Sequence, residues 1–588
     1  MSLSVWQRNI VTEAGDVIPD AEIEVFDAGS SSKPDLFSDP DGNSSITNPF
    51  NADSNGFARF YVSGGRYDIA VNGAVLWEDV ALGTTQRRDT GPAPSEVPTN
   101  DDANERGFAQ TVDSVSDLRT STFPASLQRL WLSGYYGVGT TGGGPLYRKG
   151  TGFVSADENG ILWVDADGVG WEAGPGFVLA EDASLRVPSR FATLQEAIDG
   201  TIHYQVTQGA AIDLLIESGH RPASGIIVED GDYGQYRISA EDADVPLDEN
   251  WQSTTGFLTA RRARAPTLNC LIDMSPIGSA AVTNEETNGY FCDHASTGFV
   301  TEGSGVKNCP GRRGIGAFRG SSISAEGAIA TGCAHWAIVA SRDSHISAIG
   351  ADASDSLRGF YAARVSTITA NESTANSCGQ GYIARRGSTL FCPDSQANDC
   401  VGPTDSGEPG ALIAAAGARI VGGNVTAQNC DNGAHASGMG EILCFSFDFT
   451  GANYHVLYAQ DGSKVSATGG VAPNSGSELT GSLGGVIEAF SASTVDAGGV
   501  DVSNALHNAI WAARGSTINA NTANVSGSDG DGVFAARGST INAHDVNASD
   551  VTGTGADVSN GGVINANGLT GTLGKTANQV TSNGIIFQ

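Results

Sequence analysis

Ala512-Ala513-Arg514-Gly515-Ser516-Thr517-Ile518-Asn519-Ala520 returns 23 residues later as Ala535-Ala536-Arg537-Gly538-Ser539-Thr540-Ile541-Asn542-Ala543. The isoleucine in this stretch belongs to a series of large aliphatic anchors, Ile323, Ile346, Ile368, Leu390, Ile420, Ile442, Val465, Ile487, Ile518, Ile541 and Ile564. They stand 22 or 23 residues apart, lengthened twice, to 30 and 31. Nine of the eleven carry alanine six residues upstream, as at Ala317, Ala340, Ala362, Ala384 and Ala414, and all carry a small residue two downstream, from Ala325 to Ala566. One side-chain size returning on one beat means that each unit buries the same face against the next, as in a stacked solenoid.

The apolar positions sit two apart in short runs broken by Gly, Ser, Asn and Asp, which is strand periodicity; helical repeats run longer and space their apolar residues differently. Each unit reads as strand, turn, strand, bend, strand, and three short strands per coil describe a parallel β-helix. Leucine-rich repeats share the period, but their Leu-x-x-Leu-x-Leu run and regular Asn are missing. At roughly 4.8 Å per coil the eleven units make a rod about 50 Å long.

The chain has 588 residues, 78 of them glycine, which suits an all-β repeat protein with a slim core and three or four units in all. Its 66 acidic and 32 basic residues leave a formal charge of −34, arguing against nucleic acid or an anionic membrane as partner. No apolar run reaches transmembrane length, and the opening Met1-Ser2-Leu3-Ser4-Val5-Trp6 does not read as a signal peptide, so folding in a cytoplasm is expected. The nine cysteines form no C-x-x-C pair. Cys333, Cys378, Cys400 and Cys430 lie ten residues after their anchors, with Cys309 at the matching place, which predicts a buried column of reduced thiols.

Before the rod, residues 1–88 alternate in the β manner (Ile23-Glu24-Val25-Phe26, Phe57 to Val62, Tyr67 to Val71), which predicts a small β-sandwich. A Pro- and Asp-rich linker, 89–107, follows. Residues 108–188 form a second unit, with a short helix over Val112–Leu118, a Gly-rich segment and a meander over Gly152–Glu172. Gly137–Gly142 matches G-x-G-x-x-G in letters, yet no βαβ pattern surrounds it. Residues 189–257 hold an amphipathic helix, Arg190–Asp199, that would cap the open end of the solenoid, and the first strands; 258–588 are the β-helix body.

Three segments resemble one protein class. Val17-Ile18-Pro19-Asp20-Ala21 and Gly65-Arg66-Tyr67-Asp68-Ile69 resemble the virion-attachment domain of tailed-bacteriophage tail fibres and tailspikes. Gly134-Tyr135-Tyr136 with Gly142-Gly143-Gly144 and Tyr147 looks like the adaptor before many tailspike β-helices, and the rod is similar to their right-handed, pectate-lyase-like body. The resemblance implies a homotrimer in the virion tail, assembled after folding in the host cytoplasm. It would be held by its N-terminus to tail or baseplate proteins, with the β-helix recognising host-surface polysaccharide. Many relatives also cleave that polysaccharide; a purely structural or adhesive fibre is the alternative, and a secreted bacterial lyase a third reading. No separate trimerisation domain is expected after the rod.

Seven residues before the anchors run Val339, Tyr361, Ile383, Ile413, His435, Tyr458, Trp511 and Phe534, too apolar for a water-facing column, which predicts a surface buried against sister chains. Four before the anchors stand Arg319, Arg342, Arg364, Arg386, Arg514 and Arg537. Stacked so closely they repel unless something anionic intervenes: carboxylates of an adjacent subunit, an acidic host glycan, or only solvent. On the third strand Asn376, Thr426, Gln428 and Asn398 suit sugar hydroxyls. The two long units insert Val401–Gly410 and roughly Gly498–Asn508 at one corner, enough to wall a groove of roughly 20 Å. Glycoside hydrolysis needs two carboxyl groups. Glu372 and Asp394, one coil apart, are the candidate pair, with Asp399 and Asp448 as further acids; elimination would instead need a base and, in some enzymes, calcium. No metal cluster or cofactor site is evident. Asp165-Ala166-Asp167-Gly168 and Asp529-Gly530-Asp531-Gly532 read as turns, with calcium binding as the alternative.

Overall fold

The computed structural model describes residues 4–9, 18–39, 42–53, 57–63, 65–82, 110–135, 142–151, 162–251, 256–277, 287–402, 410–477, 479, 484–570, 579–580 and 583–587. The chain divides into two units, Met1–Pro92 and Ala93–Gln588. The first pairs two four-stranded sheets. Ser4–Asn9, Phe57–Val62 and two short strands form one; Glu22–Asp27, Gly65–Val71, Ala74–Leu82 and Phe50–Asn51 form the other. Trp6, Ile23, Val25, Phe60 and Ile69 share their core, as the alternation predicts for a sandwich. The expected linker, 89–107, and most of the G-x-G-x-x-G run fall outside the described residues.

The second unit opens with a five-stranded sheet built from Thr111–Val112, Arg129–Leu132, Gly144–Thr151, Leu162–Val164 and Val169–Ala173. Its short helix spans Val115–Thr120 rather than Val112–Leu118, because the Ser114 hydroxyl accepts the Asp117 N–H at 3.0 Å and fixes the first turn. Asp165 closes the Asp167-Gly168 turn: its carboxylate accepts the N–H groups of Asp167 and Val169 and the Trp171 indole N–H at 2.9–3.0 Å. The capping helix spans Leu194–Thr201, later than expected, because the Thr193 hydroxyl accepts the Glu196 N–H and the Glu196 carboxylate accepts the Ala192 N–H, both at 3.1 Å. It buries Leu194, Ala197 and Ile198.

From Ala183 onward the strands stack in parallel. A first face of 15 strands and a second of 13 run along the rod. A third face is joined by single bridges, Asp352 to Thr374 to Gln396 to Thr426 to Asp448 to Val471. Ala317, Ala340, Ala362, Ala384, Ala414, Ala436 and Ala459 are in-register neighbours along the first face and fully buried. One anchor is corrected. Val465 pairs with Val495, and Val495 with Ile518, while Ile487 sits on the first face between Leu457 and Ile510. The column of alanines therefore continues through Ala489, and the second long corner lies just before Gly485, not at 498–508.

Each coil turns at three corners, and each corner places one residue in the left-handed region, or two at the first corner, where Asp343, Val365 and Gly387 follow the arginines. These are the stacked arginines (Arg342 φ 61°, Arg364 φ 57°, Arg386 φ 57°), the position of Glu372 and Asp394 (both φ 56°), and that of Asp355 and Asp399 (58° and 56°). This conformation costs a non-glycine residue about 1–2 kcal/mol, offset here because each corner N–H donates to the coil above, as Arg364 N to Arg385 O at 3.2 Å. A serine ladder reinforces the first of these corners. The backbone N–H of Ser296, Ser321, Ser344 and Ser366 each donates to the hydroxyl of the next serine, up to Ser388, at 3.1–3.3 Å.

All nine cysteines are free and buried. Within the expected column Cys400 N–H donates to Cys430 Sγ at 3.3 Å, and burial pushes the Cys378 thiol up to about 12. No helix among the described residues is long and apolar enough to cross a membrane.

Replacing Ser366 with Ala orphans the buried Ser344 N–H and should cost about 1–3 kcal/mol locally. Native-state amide exchange at Ser344 and its coil reads the effect; unchanged rates would remove the ladder from the account of stability.

Candidate functional site

The third-face column is real, since Thr426 and Asp448 are bridge partners. Its polar groups, however, hold coils together. Asn376 Oδ1 accepts Asn398 N–H at 2.8 Å, and Asn398 Oδ1 accepts Gln428 N–H at 2.9 Å. Glu372, Asp394 and Asp399 are exposed at left-handed corners, where Asp, Asn and Gly recur for backbone reasons. Asn424 donates to Asp394 at 2.8 Å and Asn429 to Asp399 at 3.2 Å. Asp448 is half-buried. Burial raises its carboxyl, but hydrogen bonds from Thr450 and Gln428 prevail and hold it below the usual carboxylate range. The four predicted acids are spread over corners and strand rather than gathered in one pocket.

A different set of polar side chains converges on the outer side of the first face. Asp431, Asn432, His435, Glu488 and Asn508 are all less than 8% exposed, although they point away from the alanine-lined interior. They lie on or beside the successive strands Asn432–Ser437, His455–Ala459, Gly485–Phe490 and Asn508–Ala513. Both long corners, after Gly402 and before Gly484, lead into this face. Residues 403–409, expected to form one wall of a groove, lie outside the described residues. Gly402 N–H donates to Asp431 at 3.0 Å, tying one corner to the cluster.

At its centre the His455 ring is held from both sides: Nδ1 lies 3.1 Å from Asn432 Oδ1, and Nε2 lies 3.2 Å from Glu488 Oε2. The His455 backbone N–H also donates to Asn432 Oδ1, which fixes that amide's orientation. Both ring nitrogens thus face acceptors; a doubly protonated ring donates to both, and a neutral ring keeps one contact. Glu488 Oε2 also accepts Gly485 N–H at 3.4 Å. Tyr458 stacks on His455 at 4.5 Å and meets the edge of His435 at 4.7 Å. Burial, reinforced by His455 and Arg385, pushes His435 down to about 3, so its imidazole is neutral at physiological pH. Trp511 is the in-register neighbour of Glu488.

A carboxylate and an imidazole in hydrogen-bond contact, with a phenol ring stacked beside them, can give and take protons at an ether oxygen or beside a carboxylate. Glu488 escaped the sequence reading because Ile487 was taken as an anchor, which removed that coil from the column of Val339 and Ile383. With Val495 as anchor, His435 and Glu488 stand out as polar intruders in an apolar column. The residues of that column assigned to a subunit interface lie as follows: Ile383 and Ile413 are fully buried within the single chain, Trp511 is 8% exposed, and Tyr361, Tyr458 and Phe534 are half-buried. Of the corner arginines, Arg514 lies over the Phe490 ring at 4.3 Å and Arg319 pairs with Asp293 at 2.8 Å, while Arg364, Arg386 and Arg537 are exposed. Among the described residues no three His, Cys, Asp or Glu side chains are grouped to hold a metal ion.

Residues 111–174, the span of the five-stranded sheet, match the family described as the phage tail protein small four-stranded beta-sheet domain. No curated protein matches the chain. Among solved structures, full-length tailspike protein 2 from Escherichia coli O157:H7 bacteriophage CAB120 is similar at 15% identity and a TM-score of 0.32, covering 84% of this chain and 61% of that one. The tailspike gp42 of Acinetobacter phage vb_AbaP_AS12 is similar at 12% identity and a TM-score of 0.28, covering 81% and 74%. A segment similar to that family thus precedes the parallel β-helix, whose strands stack from Ala183 onward.

Because His435 is held neutral in the fold at about 3 against roughly 6.5 when unfolded, its burial contributes fully above pH 6.5, and that contribution is lost as pH falls toward 3. The melting temperature should fall more steeply below pH 6.5 in the parent protein than in His435→Asn; parallel curves would contradict the assignment.

Proposed function

We propose that the protein is a tailspike-type component of a phage tail whose β-helix binds a host-surface polysaccharide and cuts it at the Glu488–His455 cluster. The observation that carries this reading is the gathering of buried polar groups on one outer face of the rod, between its two long corners. A passive fibre gains nothing by desolvating a carboxylate and two imidazoles on its outside, and that cost is characteristic of a site built for chemistry. The phage-tail domain at 111–174 supports location in the virion tail, with the N-terminal sandwich as the attachment module.

In this reading Glu488 and His455 exchange a proton at the scissile linkage, Tyr458 and Trp511 wall the sugar site, and Asn432 and Asn508 hold its geometry. Glu372, Asp394, Asp399 and Asp448 are then corner and ladder acids. Bond cleavage follows either hydrolysis, with a second carboxyl such as Asp431, or elimination next to a uronate carboxylate; the products differ by an unsaturated end.

Trimerisation is part of the same proposal. In the first-face column Ile383 and Ile413 are fully buried within one chain and Tyr361, Tyr458 and Phe534 half-buried, whereas the second face exposes Phe391 (37%) and Phe445 (54%) beside half-buried Val421 and Leu443. That patch is where sister chains would meet.

Glu488→Gln should lower release of oligosaccharides from host capsule or lipopolysaccharide by about 10²–10⁴-fold with binding retained. Cleavage at the parental rate would exclude this cluster as the reactive site. Phe445→Asp should convert trimer to monomer in sedimentation, with the β-sheet circular dichroism unchanged; a trimer that persists would move the interface elsewhere.

A further inference from the structure

The charge of this chain is not evenly spread. Residues 312–386 carry eight basic side chains against five acidic ones, a formal +3 inside a chain of −34. Four of those five acids, Glu326, Asp352, Asp355 and Glu372, lie on the third face or at the two corners beside it, and only Asp343 adjoins the corner of arginines. The outer side of the first face over these coils is left with cations alone.

The cations are arranged in register. Arg313, Trp336, Arg358 and Gln380 are successive neighbours across the strands. Arg313 and Arg358 both lie against the Trp336 ring, at 6.0 and 5.9 Å, and Trp336 packs beside Tyr361 at 5.5 Å. Arg358 Nε donates to Gln380 at 2.8 Å. Arg385 stands on the neighbouring strand, and Arg342, Arg364 and Arg386 project at the adjoining corner. Among the described residues no carboxylate lies within ion-pair distance of Arg342, Arg358, Arg364, Arg385 or Arg386. Burial, together with the charge of Arg385, pulls the Arg358 guanidinium down, so like charges are held together without compensation. Buried Nε of Arg385 and Nε1 of Trp336 have no hydrogen-bond partner among the described residues.

This strip is continuous with the Glu488–His455 cluster. The strands from Arg358–Ala363 through Gln380–Arg385, Gly410–Ala415, Asn432–Ser437 and His455–Ala459 to Gly485–Phe490 are consecutive neighbours, five spacings or roughly 24 Å. Arg385 is near enough to act on His435. A row of guanidinium groups along the rod axis, with aromatic rings between them, suits a linear polymer with a carboxylate on every repeat, because Arg grips carboxylates in a planar fork. A second copy of this chain fits less well: Val339, Ile383 and Ile413 are already buried, and the apolar area that remains, at half-buried Trp336 and Tyr361 and exposed Val365, is interleaved with guanidinium groups, whereas the core of a subunit contact is depleted of charge.

We propose that the first face from Arg313 to Arg386 is an extended subsite for an acidic, carboxylate-bearing polysaccharide that runs along the rod into the Glu488–His455 cluster. This rests on the glycan-cutting reading above and narrows it to acidic glycans. The chain's overall negative charge then repels such a polymer everywhere except along this strip, which aligns it with the rod.

The test is binding of the full-length protein to a panel of purified polysaccharides, one half acidic (polygalacturonate, alginate, hyaluronan) and one half neutral (dextran, galactan, arabinan), before and after chemical reduction of the carboxyl groups. Binding should be confined to the acidic half, weaken at least tenfold on carboxyl reduction and decline with added salt. Arg358→Gln/Arg385→Gln should weaken it at least tenfold. So should Arg364→Gln/Arg386→Gln, whose exposed side chains can be removed without disturbing packing, while Arg419→Gln on the second face leaves it unchanged. Equal binding of neutral members, or acidic binding indifferent to both arginine pairs, would overturn the acidic subsite and leave the glycan reading standing. Absence of binding by every member would overturn both. A change of oligomeric state in the arginine variants with glycan binding intact would make the strip a contact between copies.

Discussion

Every part of this rod depends on coils stacking in register, and register is imposed at the corners. Four residues in a coil, such as Arg364, Val365, Glu372 and Ser377, are held in the left-handed region, each donating its N–H to the coil above. An arginine, aspartate or glutamate accepts that conformation because the bond to the next coil offsets its cost, and because the same bend recurs one coil later. The column of alanines follows from this. Once the corners repeat, the distance across the interior is the same in every coil, and only side chains of one size fill it without void or clash.

The same geometry dictates where chemistry can sit. Side chains facing inward are confined to sizes that the interior tolerates, and a lengthened strand would shift every later residue to the opposite face. Extra residues are therefore accommodated only at corners. Both long corners of this chain lead into the first face, and beneath them the outward column changes from Val339 and Ile383 to His435, Tyr458 and Glu488. His455 and Glu488 are 33 residues apart in sequence yet meet at 3.2 Å, because they occupy adjacent coils.

How much of this is legible in the sequence depends on whether a feature repeats. The alanines at 362 and 384, the thiols at 400 and 430 and the arginine corners are read correctly because every coil repeats the same demand. The capping helix is found but set early, since Thr193 as cap carries the start signal and the apolar spacing does not. Features that occur once are lost. The assignment of Ile487 as an anchor fails because an insertion before Gly485 leaves two aliphatic residues, Ile487 and Val495, each two from a small residue, and period alone favours the nearer one. That single choice hid Glu488. Glu372 and Asp394 share a coil position and a left-handed backbone, and sequence spacing cannot separate that shared conformation from a shared substrate.

A repeat fold makes function visible as departure from its own rule. In a globular enzyme a buried histidine is unremarkable, but in a column that runs through Val339, Tyr361, Ile383, Ile413, Tyr458, Trp511 and Phe534, with Asp557 near its end, His435 and Glu488 are polar departures at buried positions. Each is less suited to the position than the residue it interrupts, and each carries the desolvation cost of a titratable group. The arginine strip departs from the rule in a second way. Guanidinium groups stacked one coil apart in a strongly acidic chain could relieve their repulsion by alternating with Asp or Glu, which the chain has in abundance and places on the other faces instead. Keeping most of the acids on other faces leaves a positive field along these strands, which are continuous with those that carry Glu488, His455, His435 and Tyr458.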